Sequence, residues 1–295
     1  MGFKPIGELS LFMGDEHRKG NAMNKIEPIR FKETDNNVAG LYVKGVSRIE
    51  PTCLKSPILM VHGACHGWWA YHKWLPFFAA AGWKAYAMSL RNHNGSYSTP
   101  EERYHELAVE DYADDVLRVL TWLDRPAILI GHSMGGITVQ KAAEQANLKA
   151  LILLASVGPG QLGAIRDPLP TDKTFMYSPE QARKMWFYKI DDQSFNAIYQ
   201  QLVPESVSVM NHYSSGDLRV DRSKIGCPIF VVGAEHDQTV VHNFQSIADF
   251  YNGERLFVPD AGHDFMLEPA AIDVAISINH WLLSVLSGEE LPFYG

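Results

Sequence analysis

Short runs of four or five apolar residues alternate along the chain with longer stretches in which apolar positions recur every three or four residues. That alternation predicts parallel strands joined by helices, so the fold class is α/β: a mostly parallel sheet with helices on both faces. Ile58-Leu59-Met60-Val61 and residues 84–88, 127–130, 150–154, 229–232 and 255–258 read as buried strands. Helical periodicity covers 68–82, with Trp68, Trp69, Tyr71, Trp74, Leu75 and Phe78 on one helix, then 109–123, the stretch from Ser133 to about 147, 244–251 and 269–286. Ahead of these, residues 29–34 and 38–43 flank Asp35-Asn36-Asn37, a turn-forming triplet that predicts an antiparallel hairpin at the edge of the sheet.

The alternation breaks twice. Residues 1–26 carry no sustained period and read as a loosely ordered leader. Residues 158–222 separate two strands and hold five prolines, yet 180–188 and 194–202 are helical in pattern and the bulky residues Phe175, Tyr177, Trp186, Phe187, Met210 and Tyr213 recur through them. The expected organisation is a core of residues 27–157 and 223–295, with 158–222 as a helical cap insertion over one end of the sheet.

Chemistry concentrates at the ends of the strands. Gly131-His132-Ser133-Met134-Gly135 follows one strand directly and opens a helix, which is the context a strained nucleophile turn requires. A serine hydroxyl is a weak nucleophile near neutral pH and needs a base, and the base needs an acid to orient it. Loops leaving the carboxyl ends of parallel strands gather on one edge, so both partners are sought after later strands. Gly233-Ala234-Glu235-His236-Asp237 and Pro259-Asp260-Ala261-Gly262-His263 supply them. Asp237 and His263 are the candidates, with Glu235 and Asp260 as rival acids and His236 and His242 as rival bases. An oxyanion would be met by backbone N–H groups of Met134, at a helix N-terminus, and of Ala64 in the loop His62-Gly63-Ala64-Cys65-His66-Gly67. His66, Trp68, Trp69, Trp186, Phe187 and Met266 are candidate substrate contacts. Asp264 is expected to face solvent or cap a turn, and His93 to lie on the surface or in the cap.

Taken as a set, His62 to Trp69, the Gly131 to Gly135 turn, Asp237 and Gly262-His263 resemble the α/β-hydrolase superfamily, and the loop from His62 resembles plant methylesterases, hydroxynitrile lyases and some bacterial esterases and lactonases. The resemblance implies a capped α/β-hydrolase that cleaves carboxylic esters of small to medium apolar acyl or aryl substrates through an acyl-enzyme, without a cofactor. The lyases carry Thr and Lys where this chain has Ala64 and Asp264, which argues against cyanohydrin cleavage. Lactone, thioester or C–C hydrolysis and perhydrolysis use the same triad and stay open; a non-catalytic ligand-binding module is the rival outside enzymology.

Composition narrows the partners rather than the reaction. A net charge of −8 disfavours nucleic acid and anionic membranes, leaving a small molecule as the expected partner and the oligomeric state open. Three single cysteines make neither a disulfide framework nor a zinc ribbon, and the twelve histidines show no metal-ligand spacing. Gly158-Pro159-Gly160-Gln161-Leu162-Gly163 has a dinucleotide-like spacing, but prolines follow where a helix would have to open. With no uninterrupted apolar leader or spanning segment, no stable membrane insertion and a cytoplasmic location are expected.

Overall fold

The described residues, 29–49, 54, 56–163, 165–170, 173–240 and 242–286 of a computed structural model, form ten strands and nine α-helices, with the strands and helices read from the apolar pattern in the expected order. The leader expected at residues 1–26 lies outside the described residues. In chain order the elements are β1 (Phe31–Val38), β2 (Leu41–Arg48), β3 (Ile58–Val61), α1 (Trp74–Ala80), β4 (Ala85–Met88), α2 (Glu101–Tyr104) and α3 (Val109–Leu123). They continue with β5 (Ala127–His132), α4 (Met134–Ala143), β6 (Leu148–Leu154), β7 (Thr174–Phe175), α5 (Pro179–Trp186), α6 (Asp192–Tyr199), β8 (Glu205–Ser206) and α7 (Val207–Ser214). β9 (Ile229–Ala234), α8 (Phe244–Tyr251), β10 (Glu254–Val258) and α9 (Ala271–Val285) complete the set.

Eight strands form one sheet in the order β1-β2-β4-β3-β5-β6-β9-β10. β1 and β2 pair antiparallel and β2 joins β4 antiparallel; every neighbour from β4 to β10 is parallel. The central strands β3 and β5 are buried at every position, because helices cover both faces, and this is why they read as unbroken apolar runs rather than as alternation. One core layer packs α1 and α9 against the sheet through Trp74, Phe78, Trp83, Ile278 and Leu282; the other packs α3, α4 and α8 through Tyr112, Val116, Ile137 and Ile247. The indole N–H of Trp74 donates to the Ala271 carbonyl, so even this buried ring leaves no polar atom unmet. Among the described residues, no helix is long and apolar enough to cross a membrane.

Residues between β6 and β9 leave the sheet and return to it. They contribute α5, α6, α7 and a two-stranded antiparallel ribbon of β7 and β8. Ser178 caps α5 with its hydroxyl on the Gln181 N–H, and Asp191 caps α6 on the Ser194 N–H, so both helices start where short polar residues precede the apolar pattern. α7 was not expected from the sequence, because its apolar residues sit in a short segment with weak periodicity.

Two expectations shift. The aromatic segment from Trp68 is split into a 3-10 turn, Trp68–Tyr71, and α1, rather than one helix. The hairpin turns at Ala39-Gly40 and not at Asp35-Asn36-Asn37, which lies within β1. Both turn residues have positive φ, 51° and 87°, the geometry whose twist matches the flanking strands, and the Asn37 side chain accepts from the Gly40 N–H. Ala39 bears the strain of a left-handed alanine. Ala39→Asn is therefore expected to stabilise the protein by about 0.5–1 kcal/mol and Ala39→Val to destabilise it, read as opposite shifts of the denaturant midpoint at constant m-value.

Candidate active site

β5 runs into α4 through a single residue, Ser133, whose backbone is held at φ 55° and ψ −119°. This sharp turn lifts the side chain out of the sheet edge and leaves the Met134 N–H as the first amide of α4, where no intrahelical acceptor exists. The turn exists only because its neighbours are small. A Cβ on Gly135 would fall 2.2 Å from the His62 carbonyl oxygen, so any side chain there would push the helix off the loop that follows β3.

Asp237 follows β9 and His263 follows β10, and the two meet: Asp237 Oδ2 accepts from His263 Nδ1 at 2.9 Å. The other carboxylate oxygen accepts the Thr239 and Val240 N–H groups at 2.8 and 3.2 Å. Burial alone would raise the Asp237 carboxyl, but the facing His263 and these donors bring it below the usual carboxylate range. Burial likewise disfavours the His263 cation, and the Asp237 charge outweighs it, so the imidazole sits above its ordinary value. With Nδ1–H on the carboxylate, Nε2 is left as the proton acceptor.

The rivals are engaged elsewhere. Glu235 accepts the Asp260 N–H, Asp260 pairs with Lys189, and the His236 ring stacks on Tyr188. His242 lines an outer part of the same cleft.

Ser133 and His263 share a cleft with Ala64, His66, His132, Trp186 and Thr239. Arg166, Phe175, Tyr177, Met210 and Tyr213, all from the segment between β6 and β9, form its far wall. Four expected contacts do not line it. Trp68 packs against Tyr42 and lies under the Lys44 ammonium; Trp69 is buried with its indole N–H on Asn94; Phe187 packs edge-on to Phe195; and Met266 is wholly enclosed in the core. Trp68, Trp69 and Met266 were read from their chain distance to a motif and Phe187 from the bulky pattern of the insertion, and each points its side chain into packing instead. Arg166 and Thr239 were missed, since neither stands in a motif.

Asp264 and His93 also differ from expectation, because both are buried. Asp264 Oδ2 meets His66 Nε2 at 3.0 Å, and His66 Nδ1 faces the Ala64 carbonyl at 2.7 Å, so the acid beside His263 braces the loop after β3. His132, buried behind the turn, is held neutral: desolvation, with the nearby His263, lowers it to about 3. His132, His263 and Asp264 bring ligand atoms within 4.8 Å of one another, the spacing of a small cation site, but His263 and Asp264 are already committed to Asp237 and His66.

The same loop is gripped from the other side. Cys65, in the left-handed region at φ 68°, donates its N–H to Glu205 Oε2 and accepts the Val203 N–H at 2.9 Å. Glu205 is fully buried and also accepts from Tyr112, His93 and its neighbour Ser206. Burial would raise its carboxyl, yet His93 and these donors pull it below the ordinary value; His93 is raised by Glu205 against its own desolvation. A second buried acid, Glu268, accepts the N–H groups of Gly262, Tyr188 and Lys189, joining the His263 loop to the end of α5. Gly262 permits that approach, since a Cβ there would lie 2.6 Å from the Tyr188 nitrogen.

A sequence profile of the alpha/beta hydrolase family matches residues 58–274. The chain is 35% identical over 106 residues to salicylic acid-binding protein 2 of Nicotiana tabacum, covering 34% of this chain and 39% of that protein. It is 31% identical over 107 residues to methyl jasmonate esterase 1 of Vitis vinifera, covering 35% and 40%. These alignments thus span about two fifths of each relative's length. Among solved structures, a thermophilic esterase from Thermogutta terrifontis superposes with TM-score 0.64 at 16% identity, over 86% of this chain and 99% of that one. An Arabidopsis methylesterase gives 0.61 at 20% identity, over 79% and 99%. At such identities the superpositions speak for the fold.

The buried Glu205 yields a stability prediction. Its lowered carboxyl contributes above the unfolded value of 4.5 and is lost as pH falls through the folded value; the raised His93 contributes below 6.5 and is lost as pH rises through its folded value. Glu205→Ala, which orphans His93, Tyr112 and the Cys65 N–H, is expected to cost about 3 kcal/mol, with the largest difference from wild type between pH 4.5 and 6.5 in denaturant titrations.

Proposed function

The chain belongs to the alpha/beta hydrolase family, and from that premise we propose that it hydrolyses a carboxylic ester by way of a serine acyl-enzyme. The observation that carries this reading is the Asp237–His263 pair, 2.9 Å apart, opening on the same cleft as a serine held at a left-handed turn between strand and helix. In the first half-reaction, Ser133 Oγ attacks the ester carbonyl as His263 Nε2 takes its proton. Asp237 holds the ring in the needed tautomer and balances the imidazolium. The carbonyl oxygen, now an oxyanion, is met by the Ala64 and Met134 N–H groups, the latter at the positive end of α4. Collapse breaks the bond to the alkoxy group, which leaves as alcohol with the proton from His263. Water then attacks the acyl-serine, giving its proton to His263; Ser133 leaves and recovers that proton, and the acid product is released.

In this reading residues 158–222 are a cap on the 27–157 and 223–295 core. Their side chains Phe175, Tyr177, Trp186 and Met210 give the cleft an apolar wall, which suits small to medium acyl or aryl groups. The names of the methylesterase relatives support the same bond type. The bracing of the Ala64–Cys65 peptide, by His66 on its carbonyl and Glu205 on its N–H, would fix the preceding amide in place before substrate arrives. Preorganised donors matter because losing one typically costs about 10²–10³ in rate.

Ser133→Ala is expected to lower turnover of a p-nitrophenyl ester by about 10⁶ while leaving the fold intact; near wild-type activity would overturn the mechanism. Because the base must be neutral and its pKa is raised above 6.5, kcat/KM should fall as pH drops through a point above that value. Asp237→Asn should move that limb to lower pH and reduce the plateau by about 10⁴, measured as a pH–rate profile.

A further inference from the structure

The chain carries a net charge of −8, yet among the described residues lining both parts of the cleft there is no aspartate or glutamate. The ionisable groups there are histidines, two tyrosines and one arginine, Arg166. Buried acids behind the lining, Asp237, Asp264 and Glu205, are engaged by His263, His66 and His93, and Glu205 acts on Tyr213. We propose that the cleft is built for an ester bearing a second, free carboxylate, and that Arg166 binds that carboxylate. This deepens the ester-hydrolase reading and rests on it.

Arg166 lines both the inner part of the cleft, beside Ala64 and His263, and the outer part, beside Val157 and His242; Ser133 stands where the two join. Its place is held from two directions. The main-chain N–H donates to the Ser214 carbonyl at 3.1 Å, and Nη2 donates to the Thr239 carbonyl, which belongs to the loop carrying Asp237. Among the described residues no carboxylate pairs with the guanidinium, so most of its five donors remain for a ligand. A planar fork of this kind matches a carboxylate at two points.

The field of Arg166 reaches the reacting groups. Burial is the larger influence at His242, Tyr177 and Tyr213 and Asp237 outweighs it at His263, but the Arg166 charge adds to the lowering of His242 and opposes the upward shifts of His263, Tyr177 and Tyr213. An anion seated on the guanidinium would relieve its effect on His263, so the substrate's own carboxylate would strengthen the base that its ester group needs. Without this cation, a carboxylate entering an apolar cleft in an acidic protein would meet both desolvation and the net negative charge. The aromatic wall of Phe175, Tyr177, Trp186 and Tyr213 would receive the apolar body between the two polar ends.

Two matched pairs of substrates test the proposal and distinguish where the carboxylate sits. p-Nitrophenyl hemiglutarate against p-nitrophenyl valerate places it on the acyl side; butyryl glycolate against propyl butyrate places it on the alcohol side. Wild type is expected to favour the anionic member of at least one pair in kcat/KM by about tenfold, with the preference shrinking as salt is raised from 0.02 to 0.5 M, both concentrations being about those that span the screening range. Arg166→Gln should lower kcat/KM for that anionic ester at least about tenfold more than for its neutral partner, mainly through KM, and Arg166→Lys should restore part of the loss. No Arg166-dependent preference in either pair overturns the proposal while leaving ester hydrolysis standing. Should neither pair be turned over, the hydrolase reading fails, and calorimetry on the Ser133→Ala protein with monomethyl glutarate and methyl valerate still decides. Binding of the anion alone, lost on adding Arg166→Gln, supports the site; equal binding of the two, or none, overturns it.

Discussion

Everything at the cleft depends on one backbone constraint, the passage from β5 to α4 through Ser133 at positive φ. A non-glycine residue in this region is strained, and the strain persists only because the surroundings over-determine it. β5 is locked between β3 and β6 by parallel pairing on both sides, and α4 is pressed against the loop after β3 so closely that residue 135 has no room for a side chain. The result is a hydroxyl raised above the sheet edge and an unpaired helix amide beside it. These are the two things an acyl transfer needs at the same point, which is how the strain would serve the proposed hydrolysis.

Around that fixed point buried carboxylates tie together the loops and the segment between β6 and β9. Glu205 reaches from the insertion to hold the backbone of Cys65; Glu268 reaches from the core to hold the backbone at Tyr188 and Lys189. Asp264 and Asp237 do the same for His66 and His263. Asp237, Glu205 and Glu268 have both carboxylate oxygens met by donors, which is the condition under which a buried charge is tolerated rather than ruinous, while Asp264 is held at Oδ2 by His66 and its Oδ1 has no hydrogen-bond partner among the described residues. The insertion is therefore joined to the loops of Ala64 and His263 by directional polar contacts as well as by apolar packing. A change in how it sits would be felt first at the Ala64–Cys65 peptide.

Much of this was legible in the sequence, and the physical reason is locality. Strands buried on both faces leave unbroken apolar runs, and the turn at Ser133 leaves its glycines, because both demands act within a few residues. The partners Asp237 and His263 were legible for a different reason: parallel strands must deliver their trailing loops to one edge. What could not be read is what depends on chain segments far apart. Glu205 meets Cys65 across 140 positions, and Arg166 enters the cleft from a stretch without periodicity. Proximity in sequence also misled. Trp68, Trp69 and Met266 flank the loops of Ala64 and His263 yet turn into packing, and Asp264, next to His263, faces inward to His66. The hairpin turn fell at Ala39-Gly40 because the twist of the strands, not the local taste of asparagines for turns, set the register.

The central claim is that one serine, activated through His263, is acylated by the substrate. It is tested most directly by treating the protein with a fluorophosphonate and mapping the adduct by peptide mass spectrometry. The account predicts a single phosphonylated residue, Ser133, with labelling abolished in Ser133→Ala and greatly slowed in His263→Ala. Labelling at another residue, or labelling of Ser133 that proceeds unchanged without His263, would contradict it.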